Sequence, residues 1–161
     1  MSHPTLFFYP RPRVDIAEVP ALAHAGAVLL TDTIHATGLA ASLREALDSW
    51  TKPLAEHHSS KVLLDLALTL AIGGEHASDA DLLRCEPDLF GDVASAPTIS
   101  RMLTTLAEDA PAVIEAISNA RRAARERAWA LAGEHSPAAG ASAKSPLVID
   151  LDATLINVHS E

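Results

Sequence analysis

Asp150 and Asp152 are the residues of this chain best placed to do chemistry. They stand in the segment LVIDLDATLINVHSE, with Thr154 behind them and Leu147, Val148 and Ile149 in front. If the segment is a β-strand, alternate residues share a face. Asp150, Asp152 and Thr154 then lie together, while Ile149, Leu151 and Leu155 face the other way. Two carboxylates about 6.6 Å apart on one strand face suit Mg²⁺, a hard cation that takes oxygen ligands. With further acids from elsewhere, two such ions could activate a nucleophile and stabilise a leaving oxygen. The plainer reading is a strand end with solvated acids.

Two other groups could contact phosphate. Ser95-Ala96-Pro97-Thr98-Ile99-Ser100-Arg101 follows a short acidic helix and a loop. The pattern resembles a helix-turn-helix whose second helix opens at Pro97. Thr98, Ser100 and Arg101 would then be available to DNA near that helix's N-terminal end. The stretch from Pro87 to Ala96 is long for the motif, and a plain packed helical pair fits as well. Arg121, Arg122, Arg125 and Arg127 crowd one region of a later helix, where they could bind phosphate or form a solvated face balanced by Glu126. The eight histidines show no zinc spacing, and no metal role is read into them.

Bulk properties limit the partners. The net charge of −9 argues against nonspecific nucleic-acid binding by the whole chain, so DNA contact must come from local basic faces. The single cysteine, Cys85, excludes an internal disulfide and reads as a buried or incidental thiol. There is no signal-peptide pattern and no run of about 20 apolar residues, so a cytoplasmic protein without a membrane partner is expected. At 161 residues and 48% hydrophobic, the chain supports one compact domain; with 4% aromatic residues, its core must be mostly Ala, Leu, Val and Ile.

The elements that must hold these residues read as mainly α. Residues 1–20 carry four prolines, with Arg11 and Arg13 around Pro12, and suggest an extended arm. Residues 21–132 form a helical domain. Within it Thr37 is expected to cap a short helix reaching Trp50. Ser59 or Ser60 caps the next helix, whose apolar face is Val62, Leu63, Leu66, Ala67 and Leu70, and Gly73-Gly74 ends it. Ser78 opens a short helix with Leu82 and Leu83 inward, and Pro87 and Gly91 bound a loop. A helix then starts near Pro97 with Ile99, Leu103 and Leu106 along it. The longest helix spans about Pro111 to Leu131, with Val113, Ile117, Ala120, Ala124 and Leu131 on one side. Residues 133–146 are a small-residue linker, and 147–161 begin a strand.

Taken together, AIGGEHASDADLLRCEPDLFGDVASAPTISRML, ARRAARERAWALAG and LVIDLDATLINVHSE resemble bacterial insertion-sequence transposases of the DDE type, transposase DDE domain group 1. The resemblance covers nearly the whole chain and rests on the order and spacing of the pieces. It implies an N-terminal helical domain that contacts transposon ends (terminal inverted repeats) or a partner subunit, either intact transposase or a second copy. It also implies an incomplete RNase H-like catalytic domain whose first strand is residues 147–161. Asp152 matches the first acidic metal ligand and catalytic residue, Asp150 is a neighbouring candidate ligand, and Mg²⁺ is the expected cofactor. The family's second Asp and its Glu are not among these residues, so the chain reads as a truncated transposase that is inactive alone.

Two rivals remain at this stage. DLDAT also resembles the DxDxT motif that opens haloacid dehalogenase-like phosphatases, with Asp150 as nucleophile and Asp152 as general acid/base. The chain could also be a non-catalytic helical module that binds DNA or another protein. A first strand without its sheet neighbours is expected, over residues 147–158, to be poorly ordered, to dock on the helical unit or to pair between chains.

Overall fold

The computed structural model describes residues 8–12 and 24–150, and these divide between two compact units, residues 1–128 and 129–161. Among the described residues there are seven α-helices and no named strand. A 3-10 turn leads into α1 (Val28–Thr37), which is followed by α2 (Leu39–Ala46), α3 (Ser59–Ala71), α4 (Asp81–Arg84), α5 (Pro87–Phe90), α6 (Ala96–Ala107) and α7 (Ala110–Ala132). The mainly helical class is as the sequence implies.

In the first unit α3 is central and packs against α2, α4 and α6. Its core joins Val28 and Ile34 of α1, Leu43 of α2, Val62, Leu64 and Leu68 of α3, Leu83, Leu89 and Phe90 of α4 and α5, and Ile99 of α6. Fully burying a Leu or Phe contributes about 1.5–3 kcal/mol, so this cluster is the main apolar driving force. A second cluster of Leu47, Leu106 and Val113 fastens the end of α6 and the start of α7. Along α7, Val113, Ala120 and Ala124 are buried with Ile117 beside them, as the 3.6-residue period requires.

The face of α3 differs in part from the one its leucines suggest: Val62, Leu63 and Leu66 meet the core as expected. Ala67 and Leu70 are exposed, whereas Lys61, Asp65 and Thr69 are buried with Val62, Leu64 and Leu68. The reason is a polar network inside the core. Lys61 Nζ donates to both Asp65 carboxylate oxygens at 2.6 Å, one helical turn apart. The Tyr9 hydroxyl donates to Asp65 Oδ1 at 3.0 Å, and Lys61 Nζ sits 4.7 Å from the Tyr9 ring centroid, a cation–π distance. Burial pushes the Asp65 carboxyl up and the Lys61 ammonium down from their usual values, each opposed by the partner's charge. Burial, and then Asp65, hold the Tyr9 phenol well above its ordinary value, so it stays a donor.

Tyr9 thereby fastens the segment Phe8–Pro12 to the helices. Arg44 of α2 lies 5.6 Å over the Phe8 ring, and His35 of α1 meets Tyr9 edge-on at 6.4 Å. Gly91 closes the seat. Its φ of +65° suits glycine, and a Cβ there would come within 3.3 Å of the Phe8 carbonyl oxygen. This part of the expected extended arm is docked, with Tyr9 2% exposed.

Several helix ends also differ from the sequence reading. Thr37 is the last residue of α1 and donates back to Thr33 O, while Gly38 at φ +68° separates α1 from α2. The N-cap of α3 is His58, whose Nδ1 accepts from Ser60 N–H at 3.2 Å; Ser59 and Ser60 lie inside the helix. His76, not Ser78, caps the 3-10 turn before α4, and Asp79 accepts from the Glu75 and His76 backbone N–H groups. Pro87 opens a one-turn helix where a loop is expected. Leu82, Leu103 and Leu131 are exposed, the inward positions being Leu83 in α4 and Ile99 with Leu106 in α6. Gly73, at φ +100°, follows α3 as expected, and α6 begins where Pro97 places it. Cys85 is exposed, which leaves the incidental reading.

In the second unit, a 3-10 turn at Gly133–His135 and a bridge between Ser142 and Ser145 are the described structure beyond α7. Leu147–Asp150 are exposed and lie in no strand. The strand expected over 147–161 is thus not seen in its described part, and residues 151–161, Asp152 among them, lie outside the described residues.

Removing one member of the buried pair leaves an uncompensated charge. Asp65→Ala is expected to cost about 3–5 kcal/mol in urea unfolding, whereas the combined Tyr9→Phe, Lys61→Met, Asp65→Leu variant recovers most of it. A triple variant as unstable as the single one would show that the network does more than neutralise itself.

Burial chiefly lowers the His58 pKa from its usual value. Between that lowered value and the unfolded value of about 6.5, the unfolded chain binds more protons. Stability is therefore full above the unfolded pKa and falls as pH drops through this window. His58→Asn keeps a capping side chain and should give a shallower fall, read as urea midpoints across the pH range.

Candidate functional site

The N-terminal half of α6 is built to present side chains. Ser95 is its N-cap with extended backbone (φ −69°, ψ 154°), and proline stands in its first turn. Ile99 is fully buried and fixes which way the helix faces. Thr98 and Arg101 then share a side, and Arg101 Nη2 donates to Thr98 Oγ1 at 2.9 Å. Ser95 Oγ lies 3.1 Å from the same threonine hydroxyl.

This side of α6 borders an open groove in two adjoining parts. The larger, of about 520 Å³, is lined by Ala55, Glu56, His57, Arg84, Val93, Ser95 and Thr98. The smaller, of about 120 Å³, includes Trp50, Lys52, His57, Thr98, Arg101 and Thr105. Three basic side chains, Lys52, Arg84 and Arg101, thus meet hydroxyls and His57, with Glu56 as the acid among the lining residues. Arg84 is held by Asp81 at 2.7 Å and by the Ala94 carbonyl at 3.1 Å. The wall opposite α6 is the 51–58 loop. Its ends are tied where Ser59 N–H donates to Thr51 Oγ1 and Ser59 Oγ donates to the Trp50 carbonyl, each at 3.2 Å.

The residues singled out from sequence fall into three places. Thr98 and Arg101 line the groove. Ser100 is exposed, but at about 100° per residue it sits on another side of the helix and does not line it. Arg121, Arg122 and Arg125 are exposed on α7 and line neither part. Arg122 donates to Asn119 at 2.6 Å rather than pairing with Glu126. Asp150 is exposed in the second unit, and Asp152 lies outside the described residues. Among the described residues no group of three or more His, Cys, Asp or Glu side chains is poised for a metal.

Sequence reasoning missed Lys52, His57 and Arg84. Each reaches the groove only through the packing of α3, and of the 3-10 turn Ala77–Ala80 that leads into α4, against α6, and no local pattern marks it. The ten-residue gap that looked long for a helix-turn-helix contains α5. The connection proper is Gly91–Ser95, and the 3-10 turn Ala77–Ala80 runs directly into α4.

Among the described residues no helix is long and apolar enough to cross a membrane. Comparison with curated proteins and with solved structures gives no match. The family model described as transposase DDE domain group 1 matches residues 20–161. Members of DDE transposase families act on DNA and generally use divalent metal ions. That match spans the helical region as well as the terminal acids. This chain belongs to the transposase DDE domain group 1 family.

Proposed function

We propose that the helical unit binds DNA at the ends of an insertion sequence, with the groove beside α6 as the contact surface. The observation that carries this reading is the meeting of Thr98 and Arg101 with Lys52, Arg84 and His57 on one open groove, in a chain of a transposase family. Phosphate oxygens would be held by the cations and hydroxyls, and the α6 N-terminus adds partial positive charge. The arginines of α7 offer a second phosphate contact. In a chain of net charge −9, such binding depends on these local faces and weakens steeply with salt.

For the catalytic part, Asp152 is proposed as the first acidic ligand of an RNase H-like metal site, with Asp150 beside it. Bound Mg²⁺ would supply charge stabilisation for in-line displacement at phosphorus. The chain's own contribution is to present carboxylate oxygens. Two carboxylates are too few for the family's site, so the 161 residues taken by themselves are proposed to bind DNA, intact transposase or a second copy without cutting.

A mobility-shift titration of duplex from the element's terminal inverted repeats, at two salt concentrations, tests the binding. The chain should bind at low salt, and Arg101→Ala should weaken binding and reduce the log–log salt slope by about 1. Absence of binding at low salt would remove the DNA reading. In the same reactions with Mg²⁺, no nicked product is expected; a metal-dependent nick would show that these residues suffice for cleavage.

A further inference from the structure

The loop that walls the groove carries an unusual turn. Ala55 N–H donates to the Lys52 carbonyl at 3.1 Å, closing a four-residue turn with Pro53 second and Leu54 third. Leu54 has φ +63° and is the one non-glycine residue with positive φ among the described residues. A turn with proline second and positive φ third is of type II, and its third position favours glycine or asparagine. A leucine is strained there. Packing gives nothing in return, because the side chain is 103% exposed, more than any other large apolar residue described. Local conformation and core packing both argue against leucine at this position.

Position supplies a reason. Lys52 and Ala55, the two ends of the turn, both line the groove with Thr98 and Arg101. An apolar tip therefore stands on the rim of a surface rich in cations and hydroxyls. Proteins that bend duplex DNA use this pairing: an apolar side chain enters between two base pairs and unstacks them, while neighbouring cations hold the phosphates. Proline at 53 fixes one backbone dihedral, and the Ser59 hydrogen bonds to Trp50 and Thr51 tie the loop ends, so the tip is held before DNA arrives. We propose that Leu54 is a wedge that enters a base step of the bound duplex, with Lys52 and Arg101 on the flanking phosphates. The inference rests on the DNA-binding reading and adds to it a bend and a site of unstacking. Pyrimidine–purine steps, which unstack most easily, are the favoured target.

The test uses duplexes from the element's ends with 2-aminopurine at successive positions and a dye at each terminus. Wild-type chain should raise 2-aminopurine fluorescence at one step and shorten the dye separation. Leu54→Asn keeps a residue that tolerates the turn, so its melting temperature should not fall. It should still bind but lose both signals, whereas Arg101→Ala should weaken binding itself. Salt-dependent binding with no fluorescence rise at any position, or a rise retained by Leu54→Asn, overturns the wedge and leaves the groove reading intact. Failure of the wild-type chain to bind at low salt removes both. If Leu54→Asn keeps the DNA signals but abolishes self-association in sedimentation, the tip is a protein contact and the wedge is overturned.

Discussion

A lysine ammonium and an aspartate carboxylate, each almost wholly removed from water, lie one turn apart in the first half of α3, and the way this helix faces the core follows from them. Neither is tolerable there alone. Asp65 accepts from both Lys61 and Tyr9, and Lys61 also lies over the Tyr9 ring. Meeting both needs requires α3 to turn its polar edge inward and the Phe8–Pro12 segment to lie across it. Once α3 is turned this way, His58 caps its first turn and Ser59 reaches back to Trp50 and Thr51. Those bonds set the mouth of the 51–58 loop and hence one wall of the groove. The buried pair thus reaches the surface site through a helix start, without touching it.

That network also marks where sequence reading stops. The start of α6, the glycine after α3 and most of the buried stripe of α7 follow from period and punctuation. Helix α3 exists as expected and Val62, Leu63 and Leu66 meet the core, but the inward face is shifted away from Ala67 and Leu70, because a period count treats Lys61 and Asp65 as solvent-facing. Only a tyrosine brought from 56 residues away makes their burial affordable. The caps fail for a related reason. Serine and threonine are the usual N-caps, yet the α3 cap falls to His58, whose ring is packed near Phe8 at 6.3 Å.

The groove was half legible. Thr98 and Arg101 share a helix whose start the sequence announces, and spacing puts them on one side. Lys52 and His57 come from the 51–58 loop and Arg84 from α4, joined to α6 by packing alone. Asp150 and Asp152 are legible as a motif and as part of a family, which is a different kind of information from geometry. In a chain as acidic as this one, charge arranged locally matters more for recognition than the total does.

The docked Tyr9 has a bearing on how the chain is made. Its partner Asp65 is 56 residues further along, so at roughly 5–20 residues per second the tyrosine waits on the order of 3–11 s after its own synthesis. Gly91, which closes the seat, follows later still. During that interval α1 and α2 can form locally, but the core between them and α3 cannot close. The earliest part of this structure to leave the ribosome is therefore among the last to settle, and the interval is a natural window for a chaperone.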